Sequence, residues 1–150
     1  MIKIICVGKI KEKFFKEAIL EYQKRLTKYS KLEIIELPDF SLTPEQNKEK
    51  EGELILKNIK EKDYVITMEI MGKKLDSIEL SNFLNKTQIE NSNIVFVIGG
   101  SDGLSDEVKN RSNYALSFSN LTFPHQLFRV ILLEQIYRAF KIINNESYHK

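Results

Sequence analysis

Two rhythms of apolar and polar residues alternate along this chain. Ile2–Val7 is a mostly apolar run closed by Gly8, the pattern of a strand covered on both faces. Over Glu12–Tyr29 the residues Phe15, Ala18, Ile19, Tyr22 and Leu26 recur at helical spacing and form one stripe. Leu32–Leu37 returns to the strand pattern, and Pro38 closes it. Thr43-Pro44-Glu45-Gln46 supplies an N-cap, a first-turn proline and a capping-box partner for a heavily charged helix reaching about Ile59. Tyr64–Ile70 predicts a third strand that Gly72 ends, and Ser77 caps a short helix carrying Ile78, Phe83 and Leu84. Ile94–Ile98 predicts a fourth strand, the residues around Ser105–Asn110 a short helix, and Tyr114–Ser119 a fifth strand. Leu127–Ile143 predicts a last, very apolar helix.

This strict alternation predicts an α/β fold: a parallel sheet with helices on both faces, in a single domain over residues 1–150. Ligands on such sheets bind beyond the carboxyl ends of the strands. Met68–Gly72, Ile98–Gly103 and Phe118–Pro124 are therefore the candidate site segments. Composition adds little, since 42% hydrophobic and 29% charged residues are ordinary values. No apolar run approaches the roughly 20 residues of a membrane span. The start lacks the order of a signal peptide, so a cytoplasmic protein is expected. Cys6 lies inside Ile4–Val7 and reads as a small buried hydrophobe; with only His125 and His149 beside it, no metal centre is expected. Charge changes the picture more. The net value is +2, but Met1–Lys31 carries nine Lys/Arg against three acids. That excess suits a polyanion such as RNA, and equally a solvated helix face.

The stretch Val95–Ser105, "VFVIGGSDGLS", runs from a strand into glycines. As a dinucleotide loop it fails, because Ile98 stands where the first glycine belongs and the motif follows the fourth strand, not the first. No Walker A string exists. Gly99 and Gly100 then form either a structural turn or a loop whose backbone approaches a ligand without phosphate, since glycine has no Cβ to block it. His125, after Pro124, is a candidate base or a cap. Arg129 falls on the apolar stripe of the last helix with Leu133, Ile136 and Phe140. A cation there needs a partner, and in a first turn it opposes the helix dipole. It faces a site or an anion, or else pairs structurally with an acid. The last helix is apolar all round, which calls for cover on several sides and makes a homodimer an expectation.

Three segments, "FVIGGSDGLS", "RSNYALSFSNLTFPHQLFRVILLEQIYRAFKI" and the final "YHK", closely resemble the RlmH family, and so does the start "IKIICVGKIKEKFFKEAILEYQKRL". The resemblance covers essentially the whole chain. It implies a SPOUT fold, a parallel α/β sheet whose C-terminal part forms a trefoil knot. It also implies methylation of N3 of a pseudouridine in 23S rRNA of the assembled ribosome, by a homodimer using S-adenosylmethionine. Carried over onto this sequence, the donor site comprises Met68, Gly99, Phe118, Ser119, Asn120, Leu121, Thr122 and Phe123, with Gly100 added by the loop argument. Met68 stands where the family more often has leucine, a swap that keeps size and apolarity. Loss of the N3 proton calls for a base or positioning group, and His125, Arg129, Tyr148 and His149 are the candidates. The tail "SYHK" is expected to close over an active site, its own or a partner's, and the basic N-terminal helix to contact rRNA phosphates. The alternatives are a non-catalytic ribosome- or RNA-binding module on the same fold and a different small-molecule enzyme.

Overall fold

In the computed structural model, which describes residues 1–150, strands and helices alternate without exception. They are β1 (Ile2–Val7), α1 (Lys13–Leu26), β2 (Leu32–Leu37), α2 (Pro44–Lys57), β3 (Tyr64–Lys74), α3 (Ser77–Glu90), β4 (Ile94–Ile98), α4 (Asp106–Arg111), β5 (Tyr114–Ser117) and α5 (His125–Ile143). All pairings are parallel, in the order β2-β1-β4-β3-β5. This is the predicted parallel sheet, and its order is consistent with a C-terminal knot.

The two faces of the sheet follow from side-chain alternation. Ile2, Ile4 and Cys6 of β1 and Ile94, Phe96 and Ile98 of β4 point into the larger core, which α1, α3 and α5 cover. Ile5, Val7, Val95 and Val97 point the other way, onto Ile55 of α2 and Val108 of α4. Helices therefore lie on both faces. Every residue of β1 and β4 is buried, which explains the unbroken apolar run of β4 and that of β1, interrupted only by Lys3.

Helix α5 packs against both α1 and α3. Tyr29 stacks on Phe140 with ring centroids 5.5 Å apart. The breadth of apolar surface on α5 is thus accounted for within the chain, by the sheet below and a helix on either side. The start of α5 also caps α1: Glu12 makes no side-chain cap, and Gln126 Oε1 accepts the backbone N–H of Lys11 at 3.1 Å instead. No helix is long and apolar enough to cross a membrane.

Two local expectations need correction. Helix α3 is a full 14 residues, and its cap is Asp76, not Ser77. Asp76 and Glu79 form a reciprocal capping box, while the Ser77 hydroxyl donates to Gln135 at 2.8 Å. Gly72 does not end β3. The strand pairs with β5 up to Met68–Leu116, bulges, and resumes at Lys73–Leu116. Gly72 sits where the two backbones close up again: a Cβ there would stand 2.8 Å from the Ala115 carbonyl carbon and oxygen. The glycine permits close approach at a bulge and is not a stop signal. Because backbone cannot move aside cheaply, Gly72→Ala is expected to lower the unfolding free energy by about 2 kcal/mol. Urea denaturation measures this, and an unchanged midpoint would show that the β3–β5 junction tolerates the extra carbon.

Candidate functional site

The carboxyl ends of β3, β4 and β5 surround a cavity of about 370 Å³. That is within the usual range for small-molecule sites. The bulge of β3 supplies Met68, Glu69, Ile70 and Met71; the end of β4 and the loop after it supply Ile98, Gly99, Gly100, Ser101, Gly103 and Leu104; α4 supplies Lys109; β5, the loop after it and the start of α5 supply the rest. Of the expected donor-site residues, Met68, Gly99, Gly100, Phe118, Ser119, Leu121, Thr122 and Phe123 all line it. Asn120 lies in the same loop, exposed and off the cavity wall.

Each wall has a local cause. Gly103 adopts φ +85°, the left-handed conformation that favours glycine, and its N–H donates to the Gly100 carbonyl at 3.1 Å to close the turn. The Ser119–Phe123 loop is tied by side chains: Leu121 N–H donates to Ser119 Oγ at 3.0 Å, and Ser117 Oγ to the Ser119 carbonyl at 3.1 Å. Phe128 packs against Phe118 and Phe123, with centroids 5.3 and 5.9 Å apart, and makes an aromatic floor. The reason for Gly99 and Gly100 differs from the sequence argument. A Cβ on Gly99 would meet Leu104 at 2.8 Å, and one on Gly100 would meet the Glu51 carboxylate at 2.7 Å. Their missing side chains make room for packing behind the loop, while their backbone faces the cavity.

The charged groups of the wall were missed from sequence. Glu69 is the one carboxylate there, and its Oε2 accepts the Thr67 hydroxyl at 2.6 Å. Lys109 of α4 lines the opposite side. A strand expected to run on to Ile70 gave no sign that Glu69 faces a cavity; only the bulge turns it there. No three His, Cys, Asp or Glu side chains converge to hold a metal ion.

The four candidates for proton handling part company. His125 lines the cavity as the first residue of α5; Pro124, not His125, is the N-cap. Arg129 does not line the cavity. It is 3% exposed, its Nη1 pairs with Glu36 and its Nη2 donates to the Gly8 carbonyl at 3.1 Å. The expectation that it faces a site is therefore corrected: it ties the first turn of α5 to the carboxyl ends of β1 and β2. Burial pushes the Cys6 thiol up to about 11, and the Arg129 cation, which favours the thiolate, offsets only part of that rise.

Tyr148 and His149 sit far from their own cavity. Tyr148 packs edge-on against Tyr137 at 5.0 Å beneath the Arg138 guanidinium, and His149 Nδ1 lies 3.1 Å from Arg138 Nη1. Arg138 is about 20 Å along α5 from His125 at 1.5 Å per residue. After α5, Asn145 turns the chain at φ +53° and Glu146 fastens it. The Glu146 carboxylate accepts from Tyr29 at 2.7 Å and from Lys28 and Lys141 at 3.2 Å each. Those bonds, the Tyr29 hydroxyl first, hold it down to about 2. A depressed carboxylate contributes above its unfolded-state pKa and loses that contribution only as pH falls toward the folded value, so the clasp is intact throughout neutral pH. The tail cannot serve the cavity of its own chain, which corrects that half of the expectation.

The family model described as "Predicted SPOUT methyltransferase" matches residues 1–149. The chain is 57% identical to a ribosomal RNA large subunit methyltransferase H of Clostridium tetani and 58% identical to that of Clostridium botulinum strain 657, over 99% of each chain. It also resembles the solved structure of a methylase family protein from Haemophilus influenzae, with a TM-score of 0.58 and 17% identity over 99% of this chain and 70% of that one. That likeness bears on the fold.

Removing one partner of a buried ion pair leaves the other charge uncompensated. Glu36→Gln should lower the unfolding free energy by about 2 kcal/mol, below the value for a fully buried pair because the Glu36 side chain keeps 36% exposure. Chemical denaturation reads it directly, and wild-type stability in the variant would refute the anchoring role of Arg129.

Proposed function

The chain belongs to the SPOUT methyltransferase family, and on that premise we propose that it transfers a methyl group from S-adenosylmethionine to N3 of a pseudouridine in 23S rRNA of the assembled ribosome. The observation that carries this reading is the cavity itself. Its walls combine apolar side chains (Met68, Leu116, Phe123, Phe128) with the backbone of Gly99–Gly103 and of Ser119–Phe123. That suits a nucleoside-bearing ligand without phosphate: apolar surface for the ring, backbone groups for its polar edge. The glycine loop is closed by its own turn, and the short helix α4 that follows it opens on Asp106 and Glu107, which disfavour an anion there.

Bound there, S-adenosylmethionine supplies a methyl group on a sulfonium. The residues of this chain would hold it and arrange the acceptor. Glu69 is placed to offset positive charge, and Lys109 to meet a carboxylate. His125 is exposed at the cavity and its side chain makes no hydrogen bond within the chain, leaving the imidazole free to take the N3 proton. The remaining contribution is alignment of N3 with the methyl carbon.

We assign the working form as a homodimer in the cytoplasm, each chain one domain over residues 1–150. The cavity rim is apolar and open: Met71 is 93% exposed, and Leu121 and Ile70 join it. A second copy laid over that rim would bury it and bring its own Tyr148 and His149 to the cavity that their own chain cannot reach. Lys11, Lys13 and Lys16 are exposed on or beside α1 and suit phosphate contacts, whereas Lys3 is buried and donates to the Asn58 carbonyl at 3.0 Å.

Purified ribosomes and free 23S rRNA, each incubated with labelled donor, test the substrate. Label at a single pseudouridine of the ribosome, and none in free rRNA, is the expected result. Ribosome binding without transfer would leave the chain a non-catalytic module. Deleting Tyr148–Lys150 should abolish transfer while leaving donor binding, by calorimetry, within about twofold of wild type. Full activity of the truncated chain would refute a role for the tail.

A further inference from the structure

Helix α2 is heavily charged, yet Asn47, Glu51 and Gly52 on it are buried. This face lies behind the Gly99–Gly103 loop. A Cβ on Gly52 would stand 2.4 Å from Ser105 Oγ, and Asn47 Nδ2 donates to Asp102 Oδ2 at 3.0 Å. Between these two contacts the Glu51 carboxyl sits under Gly100, where an added Cβ would meet Oε1 at 2.7 Å. Glu51 is 4% exposed and its Oε1 has no hydrogen-bond partner. Burial, then Asp102 and Asp39, push this carboxyl above the usual range, and the Gly100 backbone opposes them. Both charges acting on it are acidic. A buried carboxyl with one oxygen unpartnered costs stability, so packing alone does not explain why a glutamate stands here.

We propose that Glu51 is a positioning residue for methyl-donor binding: its buried carboxyl, seated under Gly100, sets the height of the backbone that lines the cavity. It is not on the cavity wall and acts only through the loop. The proposal rests on the reading of the cavity as the donor site.

Calorimetry with S-adenosylmethionine and steady-state kinetics on the full-length protein test both, separably. Absence of binding by the wild type would overturn the reading of the cavity. Given wild-type binding, Glu51→Ala should raise the donor KM about tenfold with kcat within about twofold, and the isosteric Glu51→Gln should stay within about twofold of wild type in both. Gly100→Ala should weaken donor binding because its methyl group collides with the carboxyl. Wild-type donor KM in Glu51→Ala, a fall in kcat without a change in KM, or a tolerated Gly100→Ala with Glu51 in place would each overturn the proposal. If Glu51→Ala fails to fold, Gly100→Ala and Glu51→Gln decide the question.

Discussion

Five strands that all point the same way impose most of what is seen here. A parallel pair cannot be joined by a tight turn, so each return needs a crossover. Those crossovers become the helices that cover both faces of the sheet. Double cover makes β4 apolar along its whole length and β1 apolar but for Lys3, and divides the interior into two cores. The same direction gathers the carboxyl ends of β3, β4 and β5 at one edge, where three unrelated loops meet around a single cavity. The polar work of the molecule is therefore confined to segments that carry no ladder hydrogen bonds of their own.

Such segments must be held from outside, and the structure does so from behind. Leu104 and Glu51 press against Gly99 and Gly100, the backbone of β5 closes on Gly72, and Arg129 and Gln126 fasten the start of α5. Glycine at the site is consequently a packing device on the protein side as well as an opening toward the ligand. Arg129 serves the same end: the pair with Glu36 spans 93 residues of sequence and joins the last helix to an edge strand.

The sheet was legible from periodicity because its apolar runs are short, complete and bounded: β1, β2 and β4 begin and end where the pattern does. The capping box at Thr43 was legible for a similar reason, since its partners are three residues apart. The three strand ends that form the cavity followed from the fold class. What sequence could not show depends on contacts between distant segments. The bulge that turns Glu69 into the cavity is defined only by pairing with β5. Arg129 offered two partners in principle, and only the fold chooses Glu36. Tyr148 and His149 belong to a segment that carries the family resemblance, yet the turn at Asn145 sends them away from the cavity of their own chain.

Glu146 has a consequence for association. Two donors from the segment between α1 and β2 and one from α5 clasp its carboxylate, and Arg138 holds the two residues that follow Ser147. The C-terminal arm is thus already shaped before any second copy arrives. A flexible arm would surrender its conformational freedom on docking, at a cost of about 0.5–1.5 kcal/mol per immobilised side chain. A pre-formed arm avoids that loss, so in the proposed homodimer less buried surface would be needed to join the two chains.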